Sequence, residues 1–357
     1  MVCCRLFLFG AAALAAGALS LVGCTPSEVQ VVGGPAQGMV METSGAIMGT
    51  TWSAKVSGPY GNAAETIAVL GAAVDGVDAR MSTYKADSEI SRFGASPAGE
   101  AFEVSEDTFL VVSDALRIAA MTSGAFDPTI MPVVDLWGFG PAPTPESEPS
   151  AEAIAAAMEA CGYTKVSLFE SPGAYALSKT VDDLRIDLSA IAKGHGVDAM
   201  AAVLDEQGAE HYLVEIGGEL RAKGVSSDGS PWLVGIDAPR MEEGPGRPLQ
   251  AAVELHDRAI ATSGNYRNYR VIDGKRFSHT LDPRTGRPVE HALASATVLA
   301  PTCREADAWA TACMVLGAEA ALPLIEGLEG VECYLLVAED KGFVGRLSSG
   351  FPELNHP

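Results

Sequence analysis

Two oxygen-bearing side chains stand four residues apart in the segment EADAWAT, residues 305–311. The segment has the spacing of a helix, which predicts that the carboxylate of Asp307 and the hydroxyl of Thr311 share one face near the helix start. Hard oxygen ligands suit Mg²⁺, which keeps waters or phosphates in its shell. The alternative is structural, with Asp307 favouring the helix dipole and Thr311 bonding back to a carbonyl. Asp307 is expected at the helix surface, contributing little to the core.

A second candidate is the segment IDLSAIAKGHGVD, residues 186–198. Apolar and polar residues alternate up to Asp187, which predicts a strand ending there, and apolar residues recur at helical spacing after Gly194, which predicts a helix beginning near His195. Free backbone N–H groups, the helix dipole and the charge of Lys193 would then face one point, where a phosphate could bind. The alternative is that Asp187 caps the turn and Lys193 is a solvated surface lysine.

Further chemistry-bearing side chains are predicted in loops. An Asp-Gly pair between apolar flanks predicts a hairpin over residues 271–277, which places His279 at a strand end, where catalytic groups are common. A lone histidine is nevertheless more often structural. Tyr84 follows a predicted helix and could stack on a ring or pack back onto the core. Phe126 and Asp127 lie in a turn made rigid by the glycine and proline beside them.

The composition excludes one class of partner. The 357 residues include 24 basic and 46 acidic side chains, and the formal net charge of −22 repels a polyanion such as nucleic acid. A hydrophobic content of 48% is enough for a substantial core. The sequence carries no Walker, HExxH or GxSxG motif, so the chemistry of those motifs is not indicated.

Periodicity predicts both helices and strands along the chain. Helices with an apolar face are predicted over residues 67–81 and 106–121, and a further helix follows Thr302. The predicted strands span residues 47–56, 212–216, 232–236 and 294–300. Residues 141–150, rich in Pro, Glu and Ser, are predicted to form a surface loop.

The first 24 residues are predicted to be a lipoprotein signal peptide. Arg5 precedes an apolar run over residues 6–22, and the run ends in a small residue followed by Cys24. This resembles the bacterial lipobox, whose cysteine is lipidated and begins the mature protein, and several acyl chains hold a protein stably at a membrane. An ordinary signal or an uncleaved anchor is the alternative. Residues 25–45, small and polar, are predicted to be a flexible tether, with folding beginning near Ala46.

The cysteines beyond the predicted signal peptide are Cys161, Cys303, Cys313 and Cys333. They form no close CxxC pair. Cys313 lies in an apolar helical pattern and Cys333 in a strand pattern, which favours buried thiols over zinc ligands. In an oxidising compartment a disulfide between two of these cysteines is possible, but the sequence does not assign the pairing.

Nine short motifs follow one another along the chain. They are MGTTW at residues 48–52, MSTYKADSEISRF at 81–93, GAFDPT at 124–129, LWGFG at 136–140, IDLSAIAKGHGVD at 186–198, EIGGE at 215–219, ATSGNYRNY at 261–269, SHTLDPRTGRPV at 278–289 and EADAWAT at 305–311. Taken together and in this order, they resemble the ApbE family of FAD:protein FMN transferases. The resemblance covers residues 47–336. It implies an α+β fold with mixed sheets and packed helices, in which two interleaved subdomains hold the flavin site between them. The corresponding domain is expected to span residues 46–346, followed by a tail at 347–357.

The resemblance implies a Mg²⁺-dependent enzyme that splits FAD and attaches the FMN half, through its phosphate, to a threonine hydroxyl of another protein, releasing AMP. The positions that match FAD-contacting residues are Met48, Tyr84, Ala125, Phe126, Asp127, Asp187, Lys193 and Leu281. The implied metal ligands are the carbonyl oxygen of Ala190 and the side chains of Asp307 and Thr311. His279, or Asp282 beside it, would take the proton from the attacking threonine.

The sequence departs from the family pattern at two positions. His195 stands where tyrosine is frequent, and Glu219 stands where aspartate or asparagine is common after the paired glycines. The acceptors implied by the resemblance are extracytoplasmic subunits of membrane redox complexes of the Nqr and Rnf type. The chain is therefore expected on the periplasmic side of the cell inner membrane, held there by its lipid. Two Ser-Gly-Ala sequences occur in the chain, but neither continues into threonine, so self-flavinylation is not expected.

Two other functions fit the same residues. In an FAD pyrophosphatase, water replaces threonine as the nucleophile, and FMN and AMP are released. In a flavin-binding lipoprotein without turnover, FAD would stay intact in the presence of Mg²⁺, and the pairing of Asp307 with Thr311 would have no obvious purpose.

Overall fold

The structure, a computed structural model, describes residues 29–32, 40–58, 60–239, 248–265, 269–272, 274–340 and 342–356. The helices are α1 (Ala63–Met81), α2 (Glu89–Ala95), α3 (Glu106–Met121), α4 (Met131–Leu136), α5 (Ala151–Glu159), α6 (Ala192–Glu206), α7 (Cys303–Leu316) and α8 (Ala318–Glu326). The strands are β1 (Val29–Val32), β2 (Val40–Ile47), β3 (Thr50–Ser57), β4 (Phe102–Val104), β5 (Val166–Ser171), β6 (Ala174–Lys179), β7 (His211–Ile216), β8 (Glu219–Lys223), β9 (Trp232–Asp237), β10 (Leu249–Leu255), β11 (Ala259–Gly264), β12 (Tyr269–Ile272), β13 (Lys275–Ser278), β14 (Leu281–Asp282), β15 (Arg287–Pro288), β16 (Leu293–Ala300), β17 (Glu332–Glu339) and β18 (Gly342–Leu347). The predicted signal peptide and Cys24 lie outside the described residues.

The main sheet is antiparallel throughout its described pairings, in the order β1-β2-β3-β7-β8-β11-β16-β17-β18. Strand β16 is buried along almost its whole length, because both faces of the sheet are covered there. On one face Val298 belongs to the same core cluster as Trp309 of α7, and on the other Leu299 belongs to the same cluster as Trp232 of β9. A buried layer of helices therefore lies on one side of the sheet, and the β9–β10 hairpin lies on the other.

The chain joins this sheet earlier than predicted. Strand β2 pairs along its whole length with β3, so residues 40–45 of the predicted tether belong to the sheet, and β1 pairs with β2 before them. The strand predicted over residues 47–56 is a turn followed by β3. Met48 and Gly49 form that turn with φ values of 48° and 73°, the two positive angles of a type I′ hairpin turn.

The described residues of the predicted tail, 347–356, are also part of the fold. Strand β18 extends to Leu347 and pairs with β17. Beyond it, the backbones of Asn355 and Ala252 exchange two hydrogen bonds of 2.7 and 2.8 Å. Phe351 packs against the cluster between the β9–β10 hairpin and the main sheet. The ordered domain therefore continues past the predicted boundary at residue 346.

The predicted helices and most predicted strands are confirmed. Helices α1, α3 and α7 occupy the segments with helical periodicity, and Thr302 caps α7 by accepting a hydrogen bond from the backbone of Glu305. Strands β7, β9 and β16 and the hairpin β12–β13 also lie where the sequence predicts them. Residues 141–150 form a largely exposed segment without helix or strand, as predicted.

The segment before α6 differs from the prediction. Residues 184–188 do not form a strand, and Arg185 makes a single parallel bridge to Ile130. Helix α6 begins at Ala192 rather than near His195, so the first helical turn already contains Lys193. The apolar residues of the alternating pattern, Leu184, Ile186 and Leu188, are buried, as in a strand. They lie in an extended segment that packs inside the molecule without joining a sheet.

A smaller sheet, in the order β4-β6-β5, lies beside α3. Phe109 of α3 and Tyr175 of β6 pack with their ring centroids 5.1 Å apart. The four cysteines of the described domain are buried and unpaired, which agrees with the expectation of buried thiols. Within the described part of the chain, every helix falls short of the length and apolar character needed to cross a membrane.

Candidate active site

The starts of α6 and α7 meet at the centre of the candidate site. Asp307, in the second turn of α7, is 1% exposed, so the expectation of a surface aspartate is wrong. Its Oδ2 accepts a hydrogen bond of 3.0 Å from the backbone N–H of Gly194 in α6, and its Oδ1 lies 3.4 Å from Nζ of Lys193. Asp307 thus compensates the dipole of the neighbouring helix α6.

Lys193 is held between two carboxylates rather than solvated. Its Nζ lies 2.9 Å from Oε1 of Glu219, at the start of β8, in addition to its contact with Asp307. Burial lowers the pKa of Lys193, but the charges of Asp307 and Glu219 outweigh burial and raise the pKa above its ordinary value. The ammonium group therefore keeps its charge at neutral pH.

Glu219 carries an unsatisfied buried oxygen. The side chain is 5% exposed as a residue, and among the described atoms its Oε2 has no hydrogen-bond partner. Burial raises the pKa of Glu219 to about 7, with Lys193 opposing that rise and Asp307 adding to it. A cation beside Glu219 would favour the ionised form of this carboxyl group and give its second oxygen a partner.

A polar cavity of about 420 Å³ opens beside these charges. Several residues predicted for the site line it, namely Asp187, Ala190, Lys193, His279, Leu281, Asp307 and Thr311. The hydroxyl of Thr311 lies 3.2 Å from the hydroxyl of Ser263 at the end of β11. The side-chain partner of Thr311 is therefore a second hydroxyl, in place of the backbone carbonyl of the alternative interpretation.

A second cavity, of about 520 Å³, lies on the other side of Lys193 and is less polar. Its lining includes Met48 from the β2–β3 turn, Met81 at the end of α1, and Tyr84. Tyr84 is 71% exposed, so it does not pack back onto the core, and its ring is available for stacking. We call this space the apolar cavity and the first one the polar cavity.

Three residues line both cavities and join them, namely Asp187, Ser189 and Lys193. Asp187 is fixed by its neighbours, because its N–H donates to the carbonyl of Pro128 at 2.7 Å and its Oδ1 accepts from the N–H of Ser189 at 2.9 Å. Burial raises the pKa of Asp187. We call these three residues the shared wall of the two cavities. A long ligand with an aromatic end and a charged middle would lie across it.

The turn that contains Ala125, Phe126 and Asp127 lies behind that wall. All three residues are buried, and none of them lines either cavity. Both carboxylate oxygens of Asp127 are used locally, since Oδ1 accepts from the N–H and hydroxyl of Thr129 and Oδ2 accepts from the N–H of Tyr163. The turn is connected to the cavity lining through the carbonyl of Pro128, which accepts from Asp187, and through the carbonyl of Asp127, which accepts from the N–H of Ile130. Direct contact of the turn with a ligand stays a prediction.

Sequence reasoning did not assign two residues that the structure places at the site. Ser263 bonds to Thr311, and Glu219 bonds to Lys193, although Glu219 was noticed only as a departure from a pattern. Ser263 is the penultimate residue of β11, whose first three residues are all buried, so no alternation of buried residues indicates its side. The pairing of Glu219 with Lys193 joins residues 26 positions apart and has no local signal.

The donor set at α7 fits a hard cation better than zinc. No cluster of three or more His, Cys, Asp or Glu side chains that could hold a metal is found among the described residues. The residues that line the polar cavity instead include one carboxylate, Asp307, one hydroxyl side chain at the same helix face, Thr311, and Ala190, which has only backbone groups to offer. Mg²⁺ accepts such mixed oxygen ligands. A cation at this place would also lie near Oε2 of Glu219, which has no hydrogen-bond partner among the described atoms.

Two adjacent cavities share a lysine at a helix start, an arrangement that suits an aromatic ligand with phosphate groups. The chain belongs to the ApbE family, whose sequence profile matches residues 48–335. It is 40% identical to a protein of Haemophilus influenzae named FAD:protein FMN transferase, over 94% of this chain and 95% of the relative. A protein of Escherichia coli with the same name is 39% identical, over 96% of both chains.

Solved structures agree with the sequence relatives. The flavin transferase ApbE of Vibrio cholerae has 38% sequence identity and a TM-score of 0.79, and covers 91% of this chain and 99% of its own. The apo form of the flavinyl transferase ApbE of Pseudomonas stutzeri has 38% identity and a TM-score of 0.78, over 88% and 96% of the two chains. The mixed α and β fold predicted from the sequence is therefore the fold of this family.

Proposed function

We propose that this protein is an FAD:protein FMN transferase, which moves the FMN part of FAD to a threonine hydroxyl of an acceptor protein and releases AMP. The observation that carries the proposal is the pair of cavities joined at Lys193, one with an exposed aromatic ring and one with charged groups and His279. Relatives of about 40% identity over nearly the whole chain carry the same name.

The apolar cavity suits one ring system of FAD. Tyr84 offers an exposed ring for stacking, and Met48 and Met81 add polarisable thioethers at the same wall. Met48 is held there by its positive φ, a conformation that residues other than glycine rarely adopt and that is typical of functional sites. The proposal assigns Met48, Tyr84, Asp187, Lys193 and Leu281 to FAD contact.

The pyrophosphate of FAD would lie over the shared wall. Lys193 supplies a full positive charge at the start of α6, where helix dipoles favour anions. The ammonium group is already positioned by Glu219 and Asp307, so little side-chain ordering is needed when phosphate arrives. Phosphoryl-type transfer depends mainly on such positioning and charge neutralisation.

We propose that Mg²⁺ binds in the polar cavity, held by the carbonyl of Ala190 and the side chains of Asp307 and Thr311. When bound, the ion would neutralise charge on the pyrophosphate and on the departing AMP. The support is the set of residues that line this cavity and Oε2 of Glu219, which has no hydrogen-bond partner among the described atoms. Ser263, which lines the same cavity, holds the hydroxyl of Thr311 by a hydrogen bond.

We propose that His279 takes the proton from the attacking threonine. It follows β13 at the mouth of the polar cavity, and its ring packs edge-on against Phe139 with a centroid distance of 6.4 Å. Asp282, the other candidate, bonds to the guanidinium of Arg284 at 2.9 and 2.8 Å and does not line the polar cavity. His279 is therefore the better placed base.

The acceptors and the location of the protein extend the same proposal. The predicted lipobox supports an anchor at Cys24, and the acceptors would be extracytoplasmic subunits of Nqr-like or Rnf-like redox complexes at the periplasmic face of the inner membrane. Cys24→Ala is expected to release the protein from the membrane fraction. Retention of the variant in washed membranes would contradict lipid anchoring.

Mass spectrometry of an acceptor incubated with the protein, FAD and Mg²⁺ tests the reaction. Transfer adds one FMN to an acceptor threonine and forms one AMP per adduct. Free FMN beside an unmodified acceptor would favour the pyrophosphatase, and intact FAD after prolonged incubation would favour a binding protein without turnover. A chelator control should stop the transfer if Mg²⁺ is required.

A further inference from the structure

Helices α6 and α7 are joined at their first turns by a reciprocal pair of aspartates. In α6, the N–H of Gly194 donates to Asp307 of α7, as described above. In α7, the N–H groups of Cys303 and Arg304 donate to Asp198 of α6, at 2.9 Å to Oδ1 and 3.0 Å to Oδ2. In each helix the aspartate follows the first donor by four residues, so each helix compensates the start of the other.

The two helix starts are in direct backbone contact. A Cβ atom at Gly194 would lie only 2.3 Å from the carbonyl oxygen of Cys303, so only glycine allows this approach. Two helix N-termini placed side by side bring two partial positive charges together, which is unfavourable unless negative groups lie between them. Asp198 and Asp307 are those groups, and both are buried.

The two aspartates differ in what else they face. Asp307 accepts from the N–H of Gly194 in α6, lies 3.4 and 3.5 Å from Nζ of Lys193 through its two oxygens, and lines the polar cavity, so it serves both the helix junction and the proposed metal. Asp198 does not line the polar cavity, and its remaining contact is an ion pair of 2.8 Å with Arg221 of β8. Strand β8 also begins with Glu219, the partner of Lys193.

We infer that Asp198 is a positioning residue for the Mg²⁺ site, acting through the start of α7. It fixes the first turn of α7 against α6, and thereby the distance from Asp307 and Thr311 to Ala190, which precedes α6. This inference rests on the proposed metal site. It adds to that site Asp198, a residue that lines neither cavity. Groups behind metal ligands typically change metal affinity by about 10- to 100-fold when they are replaced.

The chain provides a matched control on the same helix. Asp205 lies two turns further along α6 and forms an ion pair of 2.7 Å with Lys223, which is two residues after Arg221 on β8. Asp198 and Asp205 thus both join α6 to a basic residue of β8, and the described contacts of Asp205 do not include α7. Asp205→Asn removes a comparable charge without disturbing the junction.

The experiment measures metal binding directly, with Mn²⁺ followed by electron paramagnetic resonance in the absence of FAD and acceptor. Asp198→Asn should raise the dissociation constant for Mn²⁺ by about tenfold or more, and Asp205→Asn should leave it within about twofold. In transfer assays the Mg²⁺ concentration for half-maximal rate should rise in the first variant only, and the rate at saturating Mg²⁺ should recover most of its value.

An unchanged Mn²⁺ dissociation constant in folded Asp198→Asn would overturn the inference, as would an equal loss in Asp205→Asn. Asp198→Glu keeps the charge and moves the carboxylate by one methylene, so it carries the test if the asparagine variant does not fold, with a several-fold weaker binding expected. A wild-type protein that binds no Mn²⁺ would instead overturn the magnesium proposal, and the two failures are thereby distinguished.

Discussion

Two lysines of this protein are held by different kinds of partner, Lys179 by backbone carbonyls and Lys193 by carboxylates. Nζ of Lys179, at the end of β6, donates to three carbonyl oxygens, those of Gly94, Asp182 and Leu184, at 2.6, 2.7 and 3.0 Å. Lys193, at the start of α6, is held by the carboxylates of Glu219 and Asp307. The first residue is 1% exposed, whereas the side chain of the second is 29% exposed and lines both cavities.

The surroundings also move the two pKa values in opposite directions. Burial lowers the pKa of Lys179, and the charges of Asp182 and Asp183 do not offset that effect. Carboxylates raise the pKa of Lys193 in spite of its burial. A lysine among backbone carbonyls ties segments of chain together, and a lysine among carboxylates beside an open cavity keeps its charge for a ligand. Substitutions around Lys193 should therefore change activity, and substitution of Lys179 should change stability.

The largest effect is expected for Asp307. Asp307→Ala should reduce transfer by at least about 10³-fold, because it removes the charged ligand of the proposed metal. It should also lower the free energy of unfolding by about 3 kcal/mol, since Lys193 and the N–H of Gly194 lose a buried partner. Glu319→Ala, on the exposed face of the neighbouring helix α8, is the control and should transfer normally. Near-normal Mg²⁺-dependent transfer by Asp307→Ala would remove the metal assignment.

His279 should affect turnover without affecting binding. His279→Ala is expected to lower the rate of transfer at saturating FAD by about 10²-fold or more, because a proton is moved only in the transition state. FAD affinity, measured by flavin fluorescence, should change little. Asp282→Asn should retain most activity, since Asp282 is occupied by Arg284. A loss confined to FAD affinity would make His279 a binding residue.

The lysine comparison is tested directly by one substitution at each position. Lys193→Met should raise KM for FAD by about 10- to 100-fold, the loss of a charged hydrogen bond to phosphate. Lys179→Met should leave KM unchanged and lower the free energy of unfolding by about 3 kcal/mol, because three carbonyls lose their donor. Urea denaturation and FAD titration of both variants measure the two quantities. If Lys179→Met changed KM as strongly as Lys193→Met, the division into structural and ligand-facing lysines would be wrong.

A smaller effect is expected at the apolar cavity. Tyr84→Ala should weaken FAD binding by about three- to tenfold, the contribution of one stacked ring, and should not change the melting temperature because the side chain is 71% exposed. Tyr84→Phe keeps the ring and should bind FAD normally. Equal losses in the alanine and phenylalanine variants would point to the hydroxyl group instead of stacking.

The smallest effect concerns the pH dependence of stability. His195 is 5% exposed, and burial lowers its pKa, while the charges of Asp107, Arg304, Asp198 and Arg80 act on it with both signs. The unfolded chain therefore binds a proton more readily than the folded protein as pH falls below about 6.5, and stability is lost in that range. His195→Gln should reduce the loss between pH 7 and 5 by about 1 kcal/mol in urea titrations. Identical pH profiles for the two proteins would show that His195 does not titrate on unfolding.

Local patterns predicted the groups that share one helix or strand. The spacing of Asp307 and Thr311 on α7 followed from helical periodicity, and the position of His279 followed from a hairpin with an Asp-Gly turn. Tyr84 was also placed correctly beyond α1. These features depend on residues that are close in sequence, where backbone geometry fixes their relation.

Other features depend on contacts that no local pattern contains. The burial of Asp307 arises because α6 meets α7 more than 100 residues away in sequence, at a hydrogen bond between Gly194 and Asp307. The turn at Met48 was missed because methionine replaces the asparagine or aspartate usual before glycine in a type I′ turn. The motif around Asp127 indicates a functional position. It does not distinguish a residue that contacts the ligand from one that packs behind the lining of the two cavities.

The burial of the tryptophans has an optical consequence. All four are nearly inaccessible to water, and Trp309 lies in α7 two residues from Asp307 and two from Thr311. Indole groups in such surroundings emit at short wavelengths, where oxidised flavins absorb, so excitation energy passes from the indoles to a flavin bound in the adjoining cavities. If the proposed site holds FAD, the emission of the folded protein is expected to dim as FAD enters and to brighten when flavin leaves on the acceptor, which would make a single turnover visible without a label.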